Sequence, residues 1–232
     1  MNALHRAKIR RLYTGRSLYC LIAGFGFLIV LISSNQYSNV VAQDVTDLFS
    51  VTAEYALLFV PLGMVVIYNS FDYRNIYRLR FDGNKTWLKK ELAFMMAALK
   101  VFTLFYSVLA ILVDLFNIAL LHNILLRLDW LSGFMFLLLI LKRFAFLTLI
   151  LFLSMIIYIA VKKSFLLILF ITYAGLLVVQ LAEIFIFQGD VILRPVLNYN
   201  LSLLGNLIHS MPMISAAIVV AAIFNYSLRG VR

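Results

Sequence analysis

Long apolar runs separated by short charged stretches dominate the chain, and almost every one of them is longer than the core helix of a soluble domain. Reading these runs against charge predicts membrane-spanning helices near 18–34, 52–68, 92–116, 144–161, 164–187 and 206–226. About 20 mostly apolar residues suffice for one crossing, so six crossings with short connections use most of the chain. The stretch 131–161 is too long for one perpendicular helix and is interrupted by Lys142 and Arg143. It is expected to be an outer-face helix running into the fourth span, with both cations snorkelling to the headgroups. The fold class that follows is all-α and polytopic, a single domain over 1–232.

Composition strengthens this picture. Of 232 residues, 64% are hydrophobic and 13% are charged, against roughly 45–50% and 25% in soluble domains. A water-soluble core cannot hide that much apolar surface, and no sizeable soluble domain fits between the spans. Catalytic ATP or sugar chemistry would have to come from another chain. Cys20 is the single cysteine, which excludes a disulfide framework and a CxxC metal or redox motif. The apolar run after Arg16 resembles a signal-peptide core, but the small-residue cleavage pattern is poor, so it is expected to remain as the first span.

Charge gives the orientation, because basic loops stay on the cytoplasmic side during insertion. Arg6, Lys8, Arg10, Arg11 and Arg16 precede the first run. Arg74, Arg78, Arg80, Lys85, Lys89 and Lys90 lie between the second and third, Lys162 and Lys163 between the fourth and fifth, and Arg229 and Arg232 after the sixth. Fifteen of the 20 basic residues thus fall on one side. Both termini and the connection 69–91 are expected in the cytoplasm, with 35–51, 117–143 and 188–205 facing outward. The net charge of +10 is concentrated beside the membrane, where anionic lipid rather than nucleic acid is the expected partner.

The connection 69–91 carries the most information. Phe71, Asn75, Arg78 and Leu79 follow helical spacing, and Ile76, Tyr77 and Phe81 place apolar and aromatic surface between cations, as in a short amphipathic helix. Asp82-Gly83-Asn84 supplies the turn. Trp87 among Lys85, Lys89 and Lys90 is expected to anchor at the membrane interface as the third span begins. With its basic arm before the first span and Asp72-Tyr73-Arg74-Asn75 leading a short helix, a turn and the cations Lys85 to Lys90, the chain resembles the permease subunits of ABC-2 type ABC transporters. The likeness is to the small six-span permeases of bacterial peptide, lantibiotic and antibiotic exporters.

That resemblance implies an N-terminal amphipathic helix and a cytoplasmic coupling helix between spans two and three. Asp72, Tyr73, Arg74, Asn75, Tyr77, Arg78 and Phe81 would then dock on a separate ABC ATPase subunit. It also implies dimerisation with a second permease copy or a paralogue, with ATP and magnesium held by the ATPase and no cofactor in this chain. Aromatic and Arg side chains are suited to such an interface. The other reading of the same stretch is a helix resting on anionic lipid. At the level of function, the alternative is a stand-alone membrane immunity or interaction protein that works without ATP.

Charged groups at membrane depth cost roughly 2.5–3.5 kcal/mol on insertion scales unless paired or wet, so each one needs a role. Lys100 is expected to snorkel from the third span. Asp114, near the far end of that span, is followed by Asn117 and His122 and suggests a polar outer vestibule. Glu183, near the outward end of the fifth span, is placed to meet Lys142 or Arg143, as a structural ion pair or on a substrate path. His5, His122 and His209 have no helical partners, which argues against a metal site. No GxSxG, Walker A or paired-carboxylate motif is present, so the chain is not expected to be an enzyme. Pro61 and Pro212 lie inside apolar runs and predict kinks. Ser215 to Ala222 offers small residues for close helix packing.

Overall fold

A computed structural model of the chain describes residues 18–26, 58–71, 84–116, 130–161, 164–187 and 203–227. Among the described residues there are six helices and no strand. They are α1 (18–26), α2 (Val60–Ser70), α3 (Asn84–Phe116), α4 (Trp130–Val161), α5 (Phe165–Phe187) and α6 (Leu203–Ser227). Two stretches, Thr86–Ala110 in α3 and Phe136–Val161 in α4, are long and apolar enough to cross a membrane.

α4 is the hub of the bundle, packed against α2, α3, α5 and α6. At 32 residues it is about 48 Å long at 1.5 Å per residue. It does not break at Lys142 and Arg143, as a span confined to 144–161 would require. Both cations lie inside the helix and inside the bundle, at 2% and 0% exposure, instead of reaching toward headgroups.

Several helix ends follow from local chemistry. Ser70 Oγ donates to the Val66 carbonyl at 2.6 Å, Asn69 Nδ2 donates to Val65 O at 2.9 Å, and the Phe71 amide closes the last turn on Ile67 O at 3.1 Å. Phe71 itself is extended, which ends α2. Pro61 is the second residue of α2, but Leu58 and Phe59 before it are already helical, in a wider π turn, so the proline sits where the hydrogen-bond pattern of the helix changes. α6 continues through Pro212 from Leu203 to Ser227. α5 starts behind Ser164, whose carbonyl accepts from the Ile168 amide at 3.1 Å.

α3 has two faces. Trp87, Glu91, Met95, Leu99, Phe102, Thr103, Tyr106 and Ala110 recur at three- and four-residue spacing and are buried, while Val101, Leu104, Phe105, Val108 and Leu112 are exposed. From Val101 onward the exposed face is as apolar as the buried one. The same holds on α5, with Leu167, Phe170 and Ile171, and on α6, with Ile218, Val219 and Ile223. A helix in water turns polar residues outward; these do not.

Candidate functional site

Two layers of aromatic side chains cross the bundle, and they set the direction of its helices. The first joins Phe71, just past α2, to Trp87 at 5.6 Å, Tyr158 at 5.3 Å and Phe165 at 4.4 Å between ring centroids. Tyr158 also meets Phe165 edge-on at 5.5 Å. The second layer joins Phe59 to Phe102 at 5.7 Å and to Tyr106 at 5.1 Å, with the Arg143 guanidinium carbon 5.2 Å from the Phe59 ring centroid and 5.7 Å from that of Tyr106. Phe25 of α1 joins this layer through Phe105 and Tyr106.

Going from the second layer to the first means climbing from 59 to 71 in α2 and from 143 to 158 in α4, but descending from 106 to 87 in α3. Hence α2 and α4 run in the same direction and α3 runs against them. Gly63 agrees with the α2–α4 register: a Cβ placed there would stand 2.6 Å from Leu147 Cδ2, one turn after Phe59 and Arg143. At 1.5 Å per residue the layers lie about 18–28 Å apart along the three helices.

The first layer gathers the two ends of the 72–83 segment and the two ends of the α4–α5 turn at one end of the bundle. Asp72, Tyr73, Arg74, Asn75, Tyr77, Arg78 and Phe81 themselves lie outside the described residues, as does the N-terminal arm. Trp87 does not sit at an interface as its cationic neighbours suggest. It is 2% exposed, because Phe71 offers it an aromatic partner in the bundle. Phe71 is likewise fully buried, so it does not contribute to an outward amphipathic face. Lys89 and Lys90 point outward at this end. Glu91, one turn beyond Trp87 on the same face, is 1% exposed; its adjacency to two lysines made it read as part of the polar connection.

The second layer holds the buried guanidinium of Arg143. Arg143 stacks its planar, always ionised guanidinium beside two ring faces, an arrangement that partly replaces hydration. Around Tyr106 on α3, Thr103 and Ser107 are 1% and 0% exposed. Their hydroxyls, Thr103 Oγ1 and Ser107 Oγ, make no hydrogen bond. Neither bonds back to its own helix, as buried Thr172 does to Ile168 O at 2.8 Å. Thr148 Oγ1 and Ser154 Oγ on α4 are also buried without a hydrogen bond.

Of the other polar residues expected at depth, Lys100 is exposed on α3. The side chains of Asp114 and Glu183 lie outside the described residues, but their helix positions are fixed. Asp114 stands eight residues past Tyr106, about 12 Å further along α3, and Glu183 about 27 Å along α5 from Phe165, close to the level of Lys142 and Arg143. Among the described residues no group of three or more His, Cys, Asp or Glu is arranged to hold a metal. Cys20 is exposed and in no disulfide.

Sequence reasoning missed Phe59, Tyr106, Thr103, Ser107 and the burial of Glu91. The signal was present for α3 as the three- and four-residue recurrence of Glu91, Met95, Leu99, Phe102 and Tyr106, but nothing local marks which face of a mostly apolar helix turns inward. Comparison with protein-family models, curated proteins and solved structures gives no match.

Proposed function

We propose that this chain is the membrane-embedded permease subunit of an ABC-type transporter. In this reading it is a six-span bundle in the bacterial plasma membrane with both termini in the cytoplasm. The segment 72–81 docks on a separate ATPase, which holds ATP and magnesium, and two permease chains together move a peptide, antibiotic or lipid-like compound outward. No catalytic step is assigned to this chain.

The membrane part is supported by the outward apolar faces. Phe105, Leu137, Val178 and Ile218 are each more than half exposed, and at about 25 cal/mol per Å² such faces are costly in water and neutral against lipid tails. The observation that carries the coupling part is the layer formed by Phe71, Trp87, Tyr158 and Phe165. It ties both ends of the 72–83 segment to the α4–α5 turn, so a push on that segment is delivered to three long helices at once. Close-packed side chains transmit displacement instead of absorbing it.

The test is capture of an ATPase encoded beside this chain by the detergent-solubilised permease. Capture is expected for the native chain and is expected to fall at least tenfold when Arg74→Glu and Arg78→Glu reverse the charge of the docking segment. Equal capture by both would remove the docking role. A protective phenotype that persists without any ATPase would instead favour a stand-alone immunity protein.

A further inference from the structure

Lys100 stands two residues past the midpoint of the apolar stretch Thr86–Ala110 and is exposed on the surface of α3. No hydrogen bond or ion pair holds it among the described residues. Snorkelling does not resolve its position. A perpendicular helix centred in a hydrocarbon core about 30 Å thick puts the Lys100 backbone about 18 Å from the edge nearer Thr86 and about 12 Å from the other. A lysine stem spans about 6 Å, so the ammonium ends at least about 6 Å short of either head-group plane. Helix side chains lean toward the N-terminus, which turns Lys100 back along Ala97 and toward the more distant plane, with about 12 Å still to go. Its exposed neighbours Val101, Leu104 and Phe105 offer no acceptor, and an unpaired charge at that depth is expensive.

Ala93, Ala97, Lys100 and Leu104 are all exposed and recur at four-, three- and four-residue spacing, so they form one stripe along α3. The two alanines make a notch on the N-terminal side of the lysine, where a second helix backbone can approach closely. We propose that this stripe is the docking seam for a transmembrane helix of a different membrane chain, one that carries an Asp or Glu at the depth of Lys100. Charge complementarity selects the carboxylate, which neutralises the ammonium through a charge-assisted hydrogen bond and is itself neutralised. An anionic lipid head group would have to sink about 12 Å to do the same. A second copy of this chain does not fit, because a twofold axis along the membrane normal keeps every residue at its own depth and sets Lys100 against Lys100. The acidic residues of the described helices lie at other levels. Glu91 and Asp114 are about 14 Å and about 21 Å from Lys100 along α3, and Glu183 is about 7 Å further than Lys100 from the first aromatic layer, on the side from which Lys100 leans away. The inference rests on the proposed function only in taking α3 across a membrane; it needs no ATPase.

The test is resonance energy transfer, in phosphatidylcholine vesicles, from the full chain labelled at its C-terminus to an acceptor-labelled leucine/alanine peptide of about 22 residues, long enough to span. One peptide carries a single Asp at its centre and the control carries Leu there. The native chain is expected to bind the Asp peptide at least about tenfold more tightly than the control, and Lys100→Arg, which keeps the charge, is expected to retain that preference. Lys100→Met, which removes only an exposed cation, and Ala97→Ile, which fills the notch, are each expected to reduce the preference below about threefold, with thermal unfolding checking that both variants are folded. Equal binding of the two peptides by the native chain, or a preference that survives Lys100→Met, would overturn the proposal. A preference that disappears when phosphatidylglycerol is added would assign Lys100 to a lipid head group, and transfer between two native chains that is lost in Lys100→Met would assign the seam to a second copy; either result overturns it. A failed ATPase capture with the Asp preference intact would instead remove the permease reading and leave the seam standing.

Discussion

Phe71→Ala is the most informative single change, because one ring joins three helices and the start of the 72–83 segment. Phe71 is fully buried and meets Trp87, Tyr158 and Phe165 at centroid distances from 4.4 to 5.6 Å. Phe-to-Ala changes in soluble cores cost about 3–5 kcal/mol. Part of that is transfer out of water, which is much smaller when the unfolded reference stays in lipid, whereas the loss of packing contacts remains. The expected cost is therefore near the lower end, about 3 kcal/mol. An aromatic pair adds about 0.5–1.5 kcal/mol beyond area, so Phe71→Ala and Trp87→Ala should be non-additive by that amount in a double-mutant cycle. Reversible unfolding in mixed micelles of rising dodecyl sulfate fraction, followed by helical circular dichroism, measures both quantities. A Phe71→Ala variant within about 0.5 kcal/mol of native, the range of an ordinary surface change, or strictly additive Phe71 and Trp87 changes, would refute the first aromatic layer as a mechanical tie.

The remaining predictions use the same unfolding assay. Gly63→Ala should destabilise by about 1–3 kcal/mol, because its Cβ meets Leu147 at 2.6 Å in a packed α2–α4 contact. Gly175→Ala, with nothing within 4 Å, should be neutral or stabilise by up to about 1 kcal/mol through helix propensity; equal effects at the two sites would contradict the helix register. Lys100→Met, on an exposed face of α3, should change stability by less than about 0.5 kcal/mol, and a larger loss would mean that Lys100 is held by a partner inside the bundle.

The apolar runs 164–187 and 206–226 coincide with the helices α5 and α6, at Phe165–Phe187 and Leu203–Ser227, because a long uninterrupted apolar run with a polar or basic stretch at one or both ends marks a helix by itself; the two stretches long and apolar enough to cross a membrane lie in α3 and α4. α4 was not legible for the opposite reason. Two adjacent cations in an isolated helix belong at the headgroups, and the rings of Phe59 and Tyr106, supplied by helices distant in sequence, favour the inward position of Arg143. Trp87 and Glu91 show the same limit at the other end: both lie among lysines, yet Phe71 and the helical repeat of α3 turn them inward. The stretch 72–83 stands out in the sequence by its mixture of aromatic and cationic residues, and the structure describes Phe71 and Trp87 on either side of it while the stretch itself falls outside the described residues.

Ser70, next to the 72–83 segment, is a poor probe of its location because its side chain is buried and bonded to Val66 O. Lys89, exposed one turn into α3, is a suitable one. The decisive measurement is therefore thiol labelling of Lys89→Cys and His122→Cys in a Cys20→Ser background, with a membrane-impermeant maleimide applied to intact cells and to inside-out vesicles. The account predicts that Lys89→Cys reacts only in inside-out vesicles and His122→Cys only in intact cells. Labelling of Lys89→Cys in intact cells would put the 72–83 segment on the wrong side of the membrane for an ATPase to reach.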